Sequence, residues 1–209
     1  LLHSDVFTEE GGKKSDKPSN VAKHFLFEIG DVEKGFKEAA DLMLGSSFVT
    51  RRTSLPLIWE LSVTATGWAG GLLDHPDPAV PADAVRLAQR FTVHVRRKGD
   101  TRECVLFQGA RIHLYQSRLA CRAQNRKAAV RPISMALGLL RPRQLAQPDQ
   151  IPLALLTAAA LHQAKSLADF PETRWDENCA IHLDRLLEQL AEEMEELTPD
   201  QRLELASLK

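Results

Sequence analysis

The sequence FTVHVRRKGDTRECVLFQGARIHLY occupies residues 91–115, and the predicted fold depends on how this stretch is interpreted. Apolar and polar side chains alternate at both of its ends, with turn-forming residues at 98–101 and 108–109 between them. The apolar members of the alternation are Phe91, Val93, Val95, Ile112 and Leu114. A period of two residues is typical of a strand with one buried face. We therefore expect a three-stranded antiparallel sheet within residues 91–115.

Helical spacing characterises most of the remaining sequence. Apolar residues recur there at steps of three and four, and Ser, Thr or Asp precedes several of the runs as an N-cap. Pro132 marks the end of one predicted helix, and Thr198 with Gln201 forms a capping signal before the last one. The predicted helices are residues 31–45, 54–68, 82–89, 117–129, 134–140, 152–167, 172–197 and 198–208. One further short strand is expected at 24–29. The predicted fold class is α+β: mainly helical, with a small three-stranded antiparallel sheet around residues 91–115.

Composition divides the chain into three regions. Residues 1–22 are rich in Gly, Lys and Asp and poor in apolar side chains, which is typical of a flexible N-terminal arm. Residues 23–143 are expected to form an α+β domain with a basic surface that binds nucleic acid. Residues 144–209 are expected to form a helical C-terminal segment that packs on this domain or mediates dimerisation.

Positive charge is concentrated in the middle of the chain. Residues 90–143 contain thirteen Arg and Lys side chains against two acidic ones, a net charge of +11. Residues 1–89 carry −4 and residues 144–209 carry −8, so the whole chain has a net charge of −1. This asymmetry indicates an anionic partner for the middle of the chain.

Nucleic acid is the anionic partner that these residues favour. Arg and Lys neutralise phosphates, Tyr and His offer planar surfaces for bases, and Arg118, Arg122 and Arg126 would share one face of a helix. Like charges at that spacing destabilise an isolated helix, whereas a phosphate backbone beside them would offset the repulsion. The predicted interface consists of Arg96, Arg97, Lys98, Arg111, His113, Tyr115, Arg118, Arg122, Arg126 and Lys127.

The acidic C-terminal third permits other interpretations. In one, the basic side chains pair with acidic residues of the same subunit or of a neighbouring one. The apolar stripe of the 172–197 helix either packs within its own chain or forms a homodimer. In a further interpretation, the glutamates of this helix mimic DNA and shield the basic surface until a ligand displaces them.

No sequence motif indicates catalysis. The chain lacks glycine-rich phosphate-binding loops, a nucleophile elbow and the His or Cys spacing of a metal site. The predicted sheet permits one weak enzyme hypothesis, in which Cys104 is a nucleophile beside His94 and His113 of adjacent strands. We expect no catalytic residue, no metal ion and no cofactor.

The cysteines and the hydropathy of the chain bear on its location. Cys104, Cys121 and Cys179 are isolated from one another, which is typical of reduced thiols. No run reaches the roughly 18 apolar residues of a membrane helix, and no signal-peptide pattern is present. We expect a cytoplasmic protein without a membrane partner.

These observations together predict a non-enzymatic nucleic-acid-binding protein, with DNA favoured over RNA. Its expected role is that of a DNA-binding transcription regulator or an accessory factor in DNA maintenance or transfer. The alternative is an interaction adaptor or assembly subunit whose basic middle docks on an acidic partner surface. Both complexes would dissociate at high salt, but only the first would contain nucleic acid.

Overall fold

The computed structural model describes residues 55–97, 99 and 102–208, which form seven α-helices and a short 3₁₀ helix, Pro171–Thr173. The α-helices are α1 (Leu55–Gly71), α2 (Ala79–Arg97), α3 (Glu103–Arg122), α4 (Arg126–Ala146), α5 (Ile151–Lys165), α6 (Glu177–Glu192) and α7 (Pro199–Ala206). The chain divides into two compact units, Leu1–Leu61 and Ser62–Lys209. The arm predicted at 1–22, the strand at 24–29 and the helix at 31–45 lie outside the described residues.

The prediction of a three-stranded sheet is wrong, because its residues lie in two helices. Residues 91–97 belong to α2, residues 103–115 belong to α3, and the described part of the chain contains no strand. Within the turn expected at 98–101, residue 99 is described, and Gly99 has a φ of 87°. Glycine adopts this left-handed conformation without steric cost. The described residues therefore form an all-helical fold in place of the predicted α+β fold.

The burial pattern of α2 shows why the alternation was misleading. Val93 is 39% exposed and Thr92 only 3%, the reverse of what a strand would require. The buried residues of α2 are Pro81, Ala84, Val85, Leu87, Ala88, Phe91, Thr92 and Val95. They follow one face of a helix. The Thr92 hydroxyl lies 2.7 Å from the Ser62 hydroxyl of α1. The two buried hydroxyl groups therefore form a hydrogen bond with each other.

Helix α3 is buried on two opposite sides. Leu114 belongs to the core that α3 shares with α4 and α5. Ile112 lies one turn before Gln116, whose Nε2 donates to Gln89 Oε1 of α2 at 3.1 Å. Residues two apart in sequence point about 200° apart around a helix. Ile112 and Leu114 are therefore buried on opposite sides of α3, which imitates the period of a strand.

Helix α4 replaces the shorter helix predicted at 134–140. It continues through Pro132 and Pro142, although each proline removes one backbone donor from the helical hydrogen bonds. Packing against α3 and α5 holds the helix together, since seven of its side chains are buried. The prediction that a helix ends at Pro132 is thus wrong, because tertiary packing outweighs the cost of proline within a helix.

Helix α5 is the centre of the core, and the prediction of a buried helix at 152–167 is confirmed. Every residue from 153 to 161 is buried. A helix that is apolar on all sides needs neighbours all round. Helices α3, α4, α6 and α7 pack against α5.

The long helix predicted at 172–197 is shorter in the structure. A 3₁₀ turn precedes α6, whose N-cap is Asp176, with a carboxylate that accepts a hydrogen bond from Cys179 N at 2.9 Å. The apolar side of α6 is buried in the core against α5. The capping signal predicted at Thr198 is confirmed, because Thr198 and Gln201 form a capping box that begins α7.

A close contact joins α1 to α3. The helix predicted at 54–68 is present as α1, whose described residues are Leu55–Gly71. Near its C-terminal end, a Cβ atom at Gly70 would lie 2.6 Å from the Tyr115 hydroxyl oxygen and 3.1 Å from the ring carbon that bears it. Only glycine leaves room for the tyrosine ring at this position.

Replacing Gly70 by Ala should lower the free energy of unfolding by about 1–2 kcal/mol, because the added methyl group overpacks the contact with Tyr115. Urea denaturation followed by circular dichroism measures the effect. The Gly70→Ala/Tyr115→Phe double variant lacks the tyrosine hydroxyl oxygen, which is the atom nearest to the added methyl group. Part of the lost free energy of unfolding should therefore be recovered.

Gly67→Ala is the matched control for this substitution. A Cβ atom at Gly67 has no neighbour within 4 Å among the described residues, and Gly67 lies in the same helix. The free energy of unfolding of this variant should rise by about 0.5–1 kcal/mol, since alanine is the better helix former. Equal effects of the two substitutions would show that the Gly70–Tyr115 contact does not constrain the packing of α1 on α3.

Candidate nucleic-acid interface

The ten residues of the predicted interface do not form one cluster. Arg96 and Arg97 lie in the last turn of α2, and Lys98 lies outside the described residues. At the other end of α3 are Arg122, Arg126 and Lys127. Arg111, His113, Tyr115 and Arg118 lie between these groups on α3. Because α3 has 20 residues, the two ends are separated by about 30 Å.

The arginine stripe predicted on a 117–129 helix is interrupted. Helix α3 ends at Arg122, and α4 begins at Arg126 after a three-residue connection. Gln124 has a φ of 58°, and the Asn125 side chain caps α4 by accepting a hydrogen bond from Ala128 N. Arg118, Arg122 and Arg126 therefore do not share a helix face, and they cannot follow a phosphate backbone as one stripe.

Two of these arginines are engaged within the chain. The Arg122 guanidinium donates to the carbonyl oxygens of Leu73 and His75, in the connection between α1 and α2. Arg126 donates to the Ser166 carbonyl and forms an ion pair of 3.0 Å with Asp169, after the end of α5. Both side chains thus hold helix connections in place, and their donors are already directed at protein oxygens.

The residues in the middle of α3 are only partly accessible. His113 Nδ1 lies 3.0 Å from Gln116 Oε1, within the polar contact between α3 and α2. Burial raises the pKa of Tyr115, with a further increase from Glu204 of α7 and opposing effects from Arg111 and Arg118. The Tyr115 ring packs against Gly70 and does not present an open face for stacking on a base.

Helix α2 presents a basic surface, only part of which belongs to the predicted interface. Arg86, Arg90, Val93 and Arg97 are spaced by four, three and four residues and are all exposed. Arg96 is exposed beside them. We call Arg86, Arg90, Arg96 and Arg97 the α2 arginine face. From Arg86 to Arg97 the face is about 16 Å long.

The side chains of this face are available for a ligand. Arg86 forms an exposed ion pair with Asp83 at 2.9 Å, of the kind that contributes little to stability. The side chains of Arg90, Arg96 and Arg97 have no hydrogen bond or ion pair within the described part of the chain. Arg96 and Arg97 lie at the C-terminal end of α2, where cations are favourable. That long-range effect leaves their N–H donors free.

The sequence contained a signal for this surface. Arg86, Arg90 and Arg97 follow helical spacing, and the helix predicted at 82–89 already includes the first of them. The switch to a period of two at Phe91 ended that helix too early and divided the face. Arg86 and Arg90 were therefore absent from the predicted interface.

A second polar cluster lies buried between α4 and α6. His182 Nε2 donates to Gln144 Oε1 at 2.6 Å, and both side chains are buried. The other ring nitrogen, Nδ1, has no partner among the described residues. Burial lowers the pKa of His182, and the positive charges of Arg141 and Arg185 lower it further. The neutral form of the imidazole is therefore favoured over the charged form.

Cys179 occupies the same buried cluster one turn earlier on α6. Its sulfur accepts a hydrogen bond from Arg141 Nη1 at 3.0 Å and donates to the Arg174 carbonyl at 3.6 Å. Burial raises the pKa of this thiol, with Arg141 among the groups that oppose the effect. A protonated thiol in the core is a packing residue and not an activated nucleophile.

Cys104, the cysteine considered for catalysis, lies far from His113. Cys104 and His113 are nine residues apart on α3, or about 13 Å along the axis. The weak Cys104 hypothesis depended on adjacent strands, so its geometric basis is removed. Among the described residues, no group of three or more His, Cys, Asp or Glu side chains is arranged to hold a metal ion.

The glutamates of the C-terminal third face solvent. Glu188, Glu192, Glu195 and Glu196 are exposed, and none of them forms an ion pair in the residues described. Arg126 with Asp169 is the pair that links the basic middle to this third. The described helices also include none long and apolar enough to cross a membrane.

Comparison with known proteins identifies no relative: no protein-family model, curated protein or solved structure matches this chain.

Replacing Arg122 by Ala should lower the free energy of unfolding by about 1 kcal/mol, because two carbonyl oxygens lose their donor. Lysine at this position should recover only part of the loss, since one ammonium group cannot reproduce the fork of the guanidinium. Urea denaturation measures both variants. Arg90→Ala, at an exposed position before the last turn of α2, is the control and should match the wild type; an unchanged stability for Arg122→Ala would contradict the structural role.

The His182 site should make stability depend on pH. Because its folded-state pKa lies below that of the unfolded chain, the unfolded state binds more protons as pH falls. Its contribution to stability should be complete above about pH 6.5 and should diminish as the pH falls toward the folded-state pKa. Denaturation midpoints measured at a series of pH values that falls from about 7.5 to about 5 test this dependence.

His182→Gln should reduce the pH dependence, and His162→Gln provides the comparison. His162 is more exposed and also has a lowered pKa, mainly through burial and then through Lys165. The loss of pH dependence should be larger for His182→Gln, whose ring is the more buried of the two. An unchanged pH profile in His182→Gln would show that this imidazole does not contribute.

Proposed function

We propose that this protein is a non-enzymatic DNA-binding protein whose α2 arginine face contacts the phosphate backbone. The observation that supports the proposal is the state of Arg90, Arg96 and Arg97. They are exposed, have no side-chain partner in the described residues and lie on the outward side of one helix. Phosphate oxygens accept hydrogen bonds from exposed guanidinium groups of this kind.

Charge supports an anionic ligand for this face. Residues 90–143 carry a net charge of +11, yet Arg122 and Arg126 have their donors directed at protein oxygens. The exposed basic side chains of this region that have no partner among the described residues include Arg90, Arg96 and Arg97 of α2. On a separate surface at the start of α4, they also include Lys127 and Arg131. Each phosphate that a cation neutralises releases counterions, so binding should be strongly salt-dependent.

The shape of the face favours duplex DNA over duplex RNA. An α-helix fits the major groove of B-form DNA, whereas the major groove of A-form RNA is too deep and narrow for side chains to read. Helix α2 packs against α3 on one side and directs its arginines to the other. Val93 lies exposed between Arg90 and Arg97, where it is available for contact with an apolar group of a base.

The proposed role is that of a regulator of transcription or an accessory factor in DNA maintenance or transfer. A homodimer would suit a palindromic site, but the apolar side of α6 is already buried in its own chain, so another surface would have to form it. The three cysteines are free thiols, which supports a reducing compartment such as the cytoplasm.

Fluorescence anisotropy of labelled duplex DNA at several salt concentrations tests the proposal. Arg90→Gln/Arg97→Gln should weaken binding about equally for different sequences. It should also lower the slope of log affinity against log salt by about 1.8, or 0.9 for each phosphate that is no longer neutralised. Single-stranded DNA and RNA of the same length serve as competing ligands.

Arg174→Gln/Arg185→Gln is the matched control, since it removes two exposed cations from the acidic C-terminal third. It should leave the salt slope unchanged. Equal slopes for the two double variants would remove the α2 arginine face from the interface, and a wild type that binds none of the three ligands would refute nucleic-acid binding altogether.

A further inference from the structure

The outward side of α4 carries a stripe of its own. Its exposed and half-exposed residues recur at steps of three and four along the whole helix, as expected for one continuous face. The stripe consists of Lys127, Arg131, Met135, Gly138, Leu139, Pro142 and Leu145. We call these residues the α4 stripe. It extends over about 27 Å.

Large apolar side chains are exposed in the second half of this stripe. Met135 is 45% exposed and Leu145 is 63% exposed, with half-buried Leu139 between them. These are two of the six large hydrophobic residues that are exposed in the described part of the chain, and they share one helix face. A single exposed Leu is common on protein surfaces, whereas an aligned group on one face indicates an interaction site.

Gly138 makes a gap in the middle of the apolar half. It is exposed, lies inside the helix, and a Cβ atom there would meet nothing within 4 Å. An interior glycine lowers helix stability by about 0.5–1 kcal/mol relative to alanine, and no contact with the described residues requires it here. The bare backbone between Met135 and Pro142 leaves room for a side chain from another molecule.

The charges of α4 determine what kind of molecule would bind. The helix contains five Arg or Lys side chains and no Asp or Glu. Arg141 and Arg143 are engaged with Cys179 and with Glu103, but Lys127 and Arg131 are exposed and without a side-chain partner in the described residues. The stripe is thus cationic at its N-terminal end and apolar along the rest.

This separation along the helix axis distinguishes a protein partner from other anionic ligands. A bilayer surface favours basic side chains along both edges of an apolar face, so that all of them reach the headgroups at the same depth. A phosphate backbone gains nothing from Met135 or Leu145. A helix with an acidic end and an apolar end matches both halves of the stripe when it lies along α4.

We infer that the α4 stripe is a docking site for an amphipathic helix of another protein, with acidic side chains against Lys127 and Arg131 and apolar anchors against Met135, Gly138 and Leu145. The site is separate from the α2 arginine face, so binding of a protein partner and binding of DNA would be independent functions. The chain would then connect the two ligands.

Selection from a displayed library of random helical peptides against the full chain tests the inference. About 18 residues are needed to follow the stripe over its length. The selected peptides should be enriched in Asp and Glu at one end and in Leu, Ile or Phe at helical spacing at the other. Their affinities are then measured by fluorescence anisotropy for the wild type and for variants that are checked for folding by circular dichroism.

Met135→Ser/Leu145→Ser and Arg131→Glu should each weaken binding at least tenfold, or about 1.4 kcal/mol. Leu203→Ser is the matched apolar control, because Leu203 is 70% exposed on α7. It should have no effect, and neither should Arg90→Gln/Arg97→Gln on α2.

Several outcomes would overturn the inference. A library without enrichment would do so, as would peptides that bind the stripe variants as tightly as the wild type. Sedimentation velocity showing self-association that Met135→Ser/Leu145→Ser abolishes would assign the stripe to a second copy of the chain. Flotation with vesicles containing anionic lipid, if abolished by the same variant, would assign it to a membrane surface.

Discussion

Helix α5 can persist in water only within a shell of other helices, because it has no polar side. Its residues from 153 to 161 are all buried, and many of them are alanines that allow close approach of neighbouring helices. Burial of apolar area is worth about 25 cal/mol for each Å² removed from water, so a helix of this composition strongly favours enclosure. Helices α3, α4, α6 and α7 supply it, and α3 in turn packs on α2.

This enclosure decides which basic side chains remain available. Arginines hold two of the connections between helices by donating hydrogen bonds to carbonyl oxygens. Arg122 binds the α1–α2 connection and Arg126 the α5–α6 connection, so each guanidinium group already has protein oxygens as partners. The surfaces turned away from α5, on α2 and α4, keep their cations exposed. The exposed basic surfaces are thus the outer faces of helices whose inner faces are buried.

The sequence predicts the elements in which one physical signal is dominant. Helix α5 was predicted from continuous apolar composition and α7 from the capping box at Thr198, and both are present. Residues 91–115 were mispredicted because Ile112 and Leu114 are buried on opposite sides of one helix, which periodicity alone cannot distinguish from a strand. That distinction depends on helices distant in sequence.

Net charge predicts the region in which the candidate site lies, but it does not predict the individual residues of the site. Net charge identified a region that contains a basic surface, since composition does not depend on conformation. Which cations are free does depend on it, because Arg122 meets carbonyl groups some 47 to 49 residues away in sequence. No local pattern reveals such interactions. The same limit applies to Arg90, whose place on an exposed face is visible only once α2 is known to continue to Arg97.

The central claim is that the free guanidinium groups of α2, and not those at the α3–α4 connection, contact the ligand. Proton–nitrogen NMR spectra of the arginine Nε–H groups, recorded during titration with duplex DNA, test it most directly. We expect shifted resonances for Arg90, Arg96 and Arg97 while Arg122 and Arg126 keep their positions. Shifts confined to Arg122 and Arg126, with the α2 arginines unmoved, would contradict it.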